Sequence, residues 1–324
     1  MERIGVILIN WVLVSRCMGM SIVRLEGIIP AIVCPMLEDY SIDEDSLRNY
    51  VKWISGFRIG GLAVNVDTGE GFHLLPEERL KVIEIVRDVV GGRIPIVAGL
   101  QPGYIPQVVR WACESRDAGA DALLVFPSSI FAGGYASEVV YEYYKSVYDG
   151  SRIPLVVFQL QPDLGGVVFD QETLRLVTSL DGVVAIKEAS FDARKFLETL
   201  RVVKKFNPRV SVLTGNDNFI YESLVLGADG ALIGFGTIGT DLLVEMYELT
   251  RKGRYGEAME IASRLQPLAD VIFAPPVRAY RARLKEALAM LGVIRYTYVR
   301  PPLKPVSEGE REVIRRALRS AGIL

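Results

Sequence analysis

Short apolar runs recur along the chain every ~20 to 35 residues, and the stretches between them space their apolar positions at helical period. The runs predict strands at 28–33, 61–66, 94–98, 122–126, 155–158, 183–186, 210–213 and 231–234. They are rich in Val, Ile, Leu and Ala and scarcely alternate, as strands covered on both faces do. The helical pattern is clearest at 43–56, 76–90 and 104–118, with start signals in Ser41-Ile-Asp-Glu44 and Pro76-Glu-Glu78. Two near-repeats support one recurring unit. Gly91-Gly-Arg-Ile-Pro-Ile-Val97 echoes Gly150-Ser-Arg-Ile-Pro-Leu-Val156, and Ala118-Gly-Ala-Asp121 echoes Leu226-Gly-Ala-Asp229. Each pair carries a glycine suited to end a helix just before an apolar strand.

Eight such units predict an α/β protein, a closed (β/α)8 TIM barrel over residues 27–250, in preference to an open doubly wound sheet. From residue 251 to 324 the pattern is wholly helical, at 255–265, 276–291 and 308–321, which predicts a C-terminal helical appendage. Residues 1–26 read as an N-terminal extension. Its apolar stretch, 5–14, is too short to span a bilayer and is interrupted by Asn10, and its flanks do not suit a signal peptide. A start codon assigned upstream of Met18 or Met20, or a segment that contacts another subunit, accounts for it.

Half of the 324 residues are hydrophobic and 23% are charged, with a formal net charge of −2. That balance offers no basic field to nucleic acid or to an anionic membrane, leaving small molecules and further copies of the chain as partners. The three cysteines, Cys17, Cys34 and Cys113, are widely spaced and suggest neither a disulfide framework nor a zinc site. With His73 as the single histidine, a multi-histidine metal centre is excluded, and no metal is expected. A cytoplasmic location fits this cysteine usage.

Barrel chemistry sits at the C-terminal ends of the strands. Those ends read Asn65-Val-Asp-Thr-Gly-Glu70, Phe126-Pro-Ser-Ser129, Phe158-Gln159, Lys187-Glu188, Thr214-Gly-Asn-Asp217 and Gly234-Phe-Gly-Thr237, with Lys187 the one lysine among them. Lys187 closes the run Val183-Val184-Ala185-Ile186. Burial there disfavours the ammonium and yields an amine that can attack a carbonyl to form a Schiff base. The alternative is a lysine whose stem packs while its head reaches out to pair with Glu188.

The sixth-strand lysine and the Thr68-Gly69-Glu70 turn resemble the dihydrodipicolinate synthase and N-acetylneuraminate lyase family of class I aldolases. The resemblance runs from Gly27 to the C-terminus. It includes Gly27-Ile-Ile-Pro-Ala-Ile32, Leu75-Pro-Glu-Glu-Arg79, Ala118-Gly-Ala-Asp-Ala-Leu-Leu-Val125, Ile186-Lys-Glu-Ala189, Gly215-Asn-Asp217 and Arg300-Pro-Pro-Leu-Lys-Pro-Val-Ser307. It implies a barrel with a helical tail, a homo-oligomer (tetramer or dimer), and a lyase that needs no cofactor because its lysine forms the Schiff base with pyruvate or another 2-oxo acid. By position, Lys187 is the Schiff-base lysine, and Thr68 with the amides of the Asp67-Thr68 turn holds the acid's carboxylate.

Departures from the family pattern are large. Pro127-Ser128-Ser129 stands where a proline and paired tyrosines are expected, one of them the proton shuttle. Phe158-Gln159 replaces a tyrosine and an asparagine, Asp67 replaces a threonine, and Gln161-Pro-Asp163 stands where synthases with an acidic second substrate carry an arginine. The acid–base candidates are therefore Asp67, with a raised pKa if buried, Tyr104 and Ser129. The substrate-facing candidates are Ser128, Gln159, Asp163, Gly69 and Gly234. Condensation with an acidic aldehyde is disfavoured by Asp163. The alternatives are a sugar-acid aldolase or dehydratase and a barrel that binds a 2-oxo acid without turning it over.

Overall fold

The computed structural model describes residues 23–324. The apolar segment 5–14, Cys17 and the alternative starts Met18 and Met20 lie outside the described residues. Eight strands, β1 (Gly27–Pro30), β2 (Leu62–Val64), β3 (Ile96–Leu100), β4 (Ala122–Val125), β5 (Leu155–Leu160), β6 (Val183–Ala189), β7 (Ser211–Thr214) and β8 (Gly230–Ile233), pair in parallel in the order β1-β8-β7-β6-β5-β4-β3-β2. A parallel bridge between Ala31 and Ala63, with the Ile32 N–H donating to the Ala63 carbonyl at 2.9 Å, closes the ring. All eight strands fall where the apolar runs predict them.

Helices alternate with the strands: α1 (Glu44–Ile54), α2 (Pro76–Val90), α3 (Ile105–Asp117), α4 (Ser137–Ser151), α5 (Gln171–Thr178), α6 (Ala193–Phe206), α7 (Ile220–Val225) and α8 (Thr240–Arg251). Pro76 starts its helix as expected, whereas the first helix is capped by Asp43 rather than by Ser41. Asp43 caps α1 by accepting the Ser46 N–H at 3.0 Å, and Pro76 opens α2, where its missing N–H costs nothing.

The period of two along each strand divides the core. Ile29, Ala63, Val97, Leu124, Val156, Ala185 and Leu232 fill the barrel interior, while Ile28, Val64, Ala98, Leu123, Val157 and Ile186 pack outward beneath the helices. Strand β6 runs to Ala189, beyond the predicted 186, because its last residues pair with both neighbours: Lys187 with Phe158 and Leu213, Glu188 with Gln159 and Thr214.

Three further helices follow: α9 (Tyr255–Ile272), α10 (Tyr280–Met290) and α11 (Glu308–Ser320). Helix α10 is buried from Tyr280 to Leu288, although it contains Arg281, Arg283, Lys285 and Glu286. Buried charge must be paired. Arg281 meets Asp67, Arg283 meets Glu310, and Lys285 meets Glu70 at 2.6 Å. Two of these three pairs run to the turn after β2, so the C-terminal region completes the mouth of the barrel. Among the described residues no helix is long and apolar enough to cross a membrane.

Candidate active site

Strand parity aims Lys187 inward. Ala185 and Ala189 belong to the interior cluster and Ile186 to the outer one, so the side chain between them enters the barrel at its C-terminal end. It is 8% exposed, and its Nζ lies 4.3 Å from the centre of the Phe158 ring. Phe158 meets Phe126 edge-on at 5.1 Å, and Phe126 meets Phe72 at 4.9 Å, so one wall is aromatic. Gly215 leaves room on another side, where a Cβ would lie 2.6 Å from the lysine Cε. Burial pushes the amine down from 10.5 to about 8, against the opposing pull of Asp217 and Asp67. Glu188 faces the other way, accepting from Asn216 Nδ2 at 2.8 Å and from the Ser190 N–H at 3.1 Å. The lysine therefore does not reach out to Glu188.

Asp217, beyond the end of β7, is buried, and burial pushes its carboxyl up to about 6 against the Phe235 N–H, which donates to Oδ1 at 2.9 Å, and the charge of Lys187. A lysine brought down and a carboxyl brought up, within reach of each other's charge, form a site able to exchange protons near neutral pH. In the sequence Asp217 is visible only as the end of a Gly-Asn-Asp run, with no mark to separate it from a rim turn.

The turn after β2 supplies the facing wall. Thr68 is buried, and among the described residues neither its N–H nor that of Gly69 donates to a protein acceptor, whereas the Glu70 and Gly71 N–H groups close the turn on Asp67 and Val66 carbonyls. Two adjacent free donors form a concavity for an anion. Thr68 Oγ1 lies 3.2 Å from the Tyr280 hydroxyl, which donates to Asp67 Oδ2 at 3.0 Å. Arg278 Nη1 donates to both Asp67 oxygens at 2.7 Å, and Arg281 binds the same carboxylate and, through Nε, the Asp67 carbonyl at 2.6 Å.

This corrects the expectation for Asp67. Burial alone would raise its carboxyl, but Arg281 and Arg278 outweigh burial and hold it below the usual range. Burial and the Asp67 charge together push the Tyr280 phenol up, so it keeps its proton. Gly234 makes room for this cluster: a Cβ there would stand 3.1 Å from Thr68 Oγ1 and 3.2 Å from Cε2 of Tyr280.

The structure brings Lys187, Asp67, Thr68, Gly69 and Gly234 together at one mouth and leaves other candidates outside it. Gln159 is turned outward by the parity that turns Phe158 inward. Its amide donates to Thr199 Oγ1 at 2.9 Å and accepts the Phe169 N–H at 2.7 Å, which uses it structurally. Tyr104 is 75% exposed at the start of α3. Ser128 caps a short 3-10 turn whose Ser129 is exposed, and Asp163 is exposed on another such turn. Next to Asp163, the Leu164 carbonyl accepts from Arg278 Nη2 at 2.5 Å. Arg278, Tyr280 and Arg281 were not among the sequence candidates. Nothing local in the run Pro276-Val-Arg-Ala-Tyr-Arg281 signals a site. No cluster of three or more potential metal ligands occurs among the described residues.

Comparison with known proteins places this geometry. The model of the dihydrodipicolinate synthetase family matches residues 24–321. A 4-hydroxy-tetrahydrodipicolinate synthase of Bartonella bacilliformis is 30% identical over 301 residues, covering 93% of this chain and 99% of that protein. A monomeric dihydrodipicolinate synthase variant superposes with a TM-score of 0.86 at 25% identity, over 94% of this chain and all of the other. The chloride-inhibited dihydrodipicolinate synthase of Acinetobacter baumannii, solved in complex with pyruvate, matches with a TM-score of 0.81 at 27% identity, over 93% and 100%.

Proposed function

The chain belongs to the dihydrodipicolinate synthetase family and is a lyase, and from that premise we propose that Lys187 forms a Schiff base with pyruvate or another 2-oxo acid. The observation that carries the reading is a lone lysine on the inner face of β6, desolvated to a pKa of about 8. A far larger share of such an amine is neutral near physiological pH than of an ordinary lysine, and the neutral form attacks the 2-oxo carbon. The free N–H groups of Thr68 and Gly69 bind the acid's carboxylate, and Asp217, poised at about 6, exchanges protons with the nitrogen as the carbinolamine loses water. Loss of a C3 proton then yields the enamine, from which carbon–carbon bond formation or cleavage proceeds.

The second substrate follows from charge at the mouth. Arg278 and Arg281 set two positive charges against the single negative charge of Asp67, and Arg278 reaches the β5 loop at Leu164. That single excess charge offsets the expected repulsion from exposed Asp163, so a second substrate bearing a carboxylate is admitted.

Borohydride reduction with pyruvate, followed by peptide mass mapping, tests the reading. The reduced adduct is expected on the peptide containing Lys187 and is lost in Lys187→Met. An adduct on any other lysine, or none with a panel of small 2-oxo acids, rejects it.

A further inference from the structure

The missing strand-four tyrosine leaves the enamine step without a proton acceptor, and the hydroxyls at the mouth have a fixed direction that supplies one. Asp67 is held ionised by Arg278 and Arg281, so it only accepts hydrogen bonds. The Tyr280 hydroxyl has a single proton, and it is committed to Asp67 Oδ2 at 3.0 Å in a charge-assisted bond. At 3.2 Å from Thr68 Oγ1, Tyr280 can then only accept, so Thr68 must be the donor. The order of donation is Thr68 to Tyr280 to Asp67. Thr68 has spent its proton on Tyr280, which leaves Oγ1 an acceptor beside the free N–H groups of its own turn.

We propose that Tyr280, delivered by the C-terminal helix α10, is the tyrosine of this site's proton path, passing protons between Thr68 and Asp67. The proposal rests on the Schiff-base reading of Lys187. In the enamine step the C3–H bond of the iminium breaks, and its electron pair forms the C2–C3 double bond as the C2–N π pair returns to nitrogen. The proton goes to Thr68 Oγ1 while the Thr68 proton passes to Tyr280 and the Tyr280 proton to Asp67. Both hydroxyls end neutral and the carboxylate holds the proton. Asp67 keeps partial contact with solvent, its side chain 22% exposed, and releases the proton there.

Tyr280 acts through Thr68, which makes it a positioning residue. Its ring is held independently of its hydroxyl, stacked on Phe273 at 5.1 Å with 24° between planes, so Tyr280→Phe preserves the packing. The phenol is buried and contacts Gly234, the residue that also abuts Thr68.

The test uses pyruvate alone. In D2O, the full-length wild type is expected to wash deuterium into the pyruvate methyl group, followed by NMR, and to be trapped on Lys187 by borohydride. Tyr280→Phe is expected to trap as the wild type does while methyl exchange falls by about 10² or more, the contribution of a positioned acid–base group. Thr68→Val removes the inner hydroxyl at nearly constant shape and is expected to show the same split, which decides the matter if Tyr280→Phe does not fold. Retained exchange in a folded Tyr280→Phe, or wild-type trapping without exchange, overturns the proton path and leaves the Schiff base standing. Wild-type protein that traps no pyruvate overturns the Lys187 reading itself, and the path with it.

Discussion

At the scale of the residue, the burial of Lys187 costs stability. Its folded-state pKa of about 8 lies below the ordinary 10.5, so below pH 8 the native state holds a charge it disfavours, and above 10.5 the amine is neutral in native and unfolded chains alike. Lys187→Met is therefore expected to raise the melting temperature at neutral pH, with the gain shrinking between pH 8 and 10.5 and vanishing above; a gain independent of pH contradicts a desolvated ammonium. The same titration sets the rate of imine formation, which is expected to rise with pH through about 8 and then level off. Lys187 could be singled out in the sequence because it closes an apolar run, where the strand itself marks the position, whereas Thr68 follows Asn65 and Asp67 and was named through the family resemblance alone. Gln159, expected to face the substrate, is turned away by the pleat: Phe158 and Lys187 are register partners facing inward, so Gln159 faces out.

Among elements, the decisive contact is between the β2 turn and α10. Glu70 and Lys285 are both fully buried and 2.6 Å apart, and Lys285 also donates to the Tyr298 carbonyl at 2.6 Å while Glu70 accepts the Arg300 N–H at 2.9 Å. Removing one partner strands a buried charge, so Lys285→Met is expected to cost about 3–5 kcal/mol in urea unfolding. Adding Glu70→Gln is expected to return part of that loss, and a single variant as stable as the wild type would show that the pair is not buried. The strands were legible because apolar runs covered on both faces have few other homes. The role of α10 was not, because Arg281 and Lys285 look like a solvated face until their partners, more than 200 positions earlier in the chain, are known.

For the whole molecule, the barrel and its C-terminal helices are one cooperative object. A chain ending at Arg251 loses Arg278, Tyr280, Arg281 and Lys285 and bares the core beneath α9 and α10. It is expected to show no cooperative melt by circular dichroism and no borohydride adduct, and a truncated barrel that still melts sharply would make the helices dispensable. The span of these contacts has a consequence for how the protein is made. Asp67 and Arg278 are 211 residues apart, so at the usual pace of synthesis the turn after β2 waits roughly 10 to 40 s on the ribosome for the residues that secure it. Lys187 is already made by then. The nascent chain thus holds Lys187 well before the residues that secure the β2 turn, and the amine is desolvated only once the C-terminal helices let the barrel close over it.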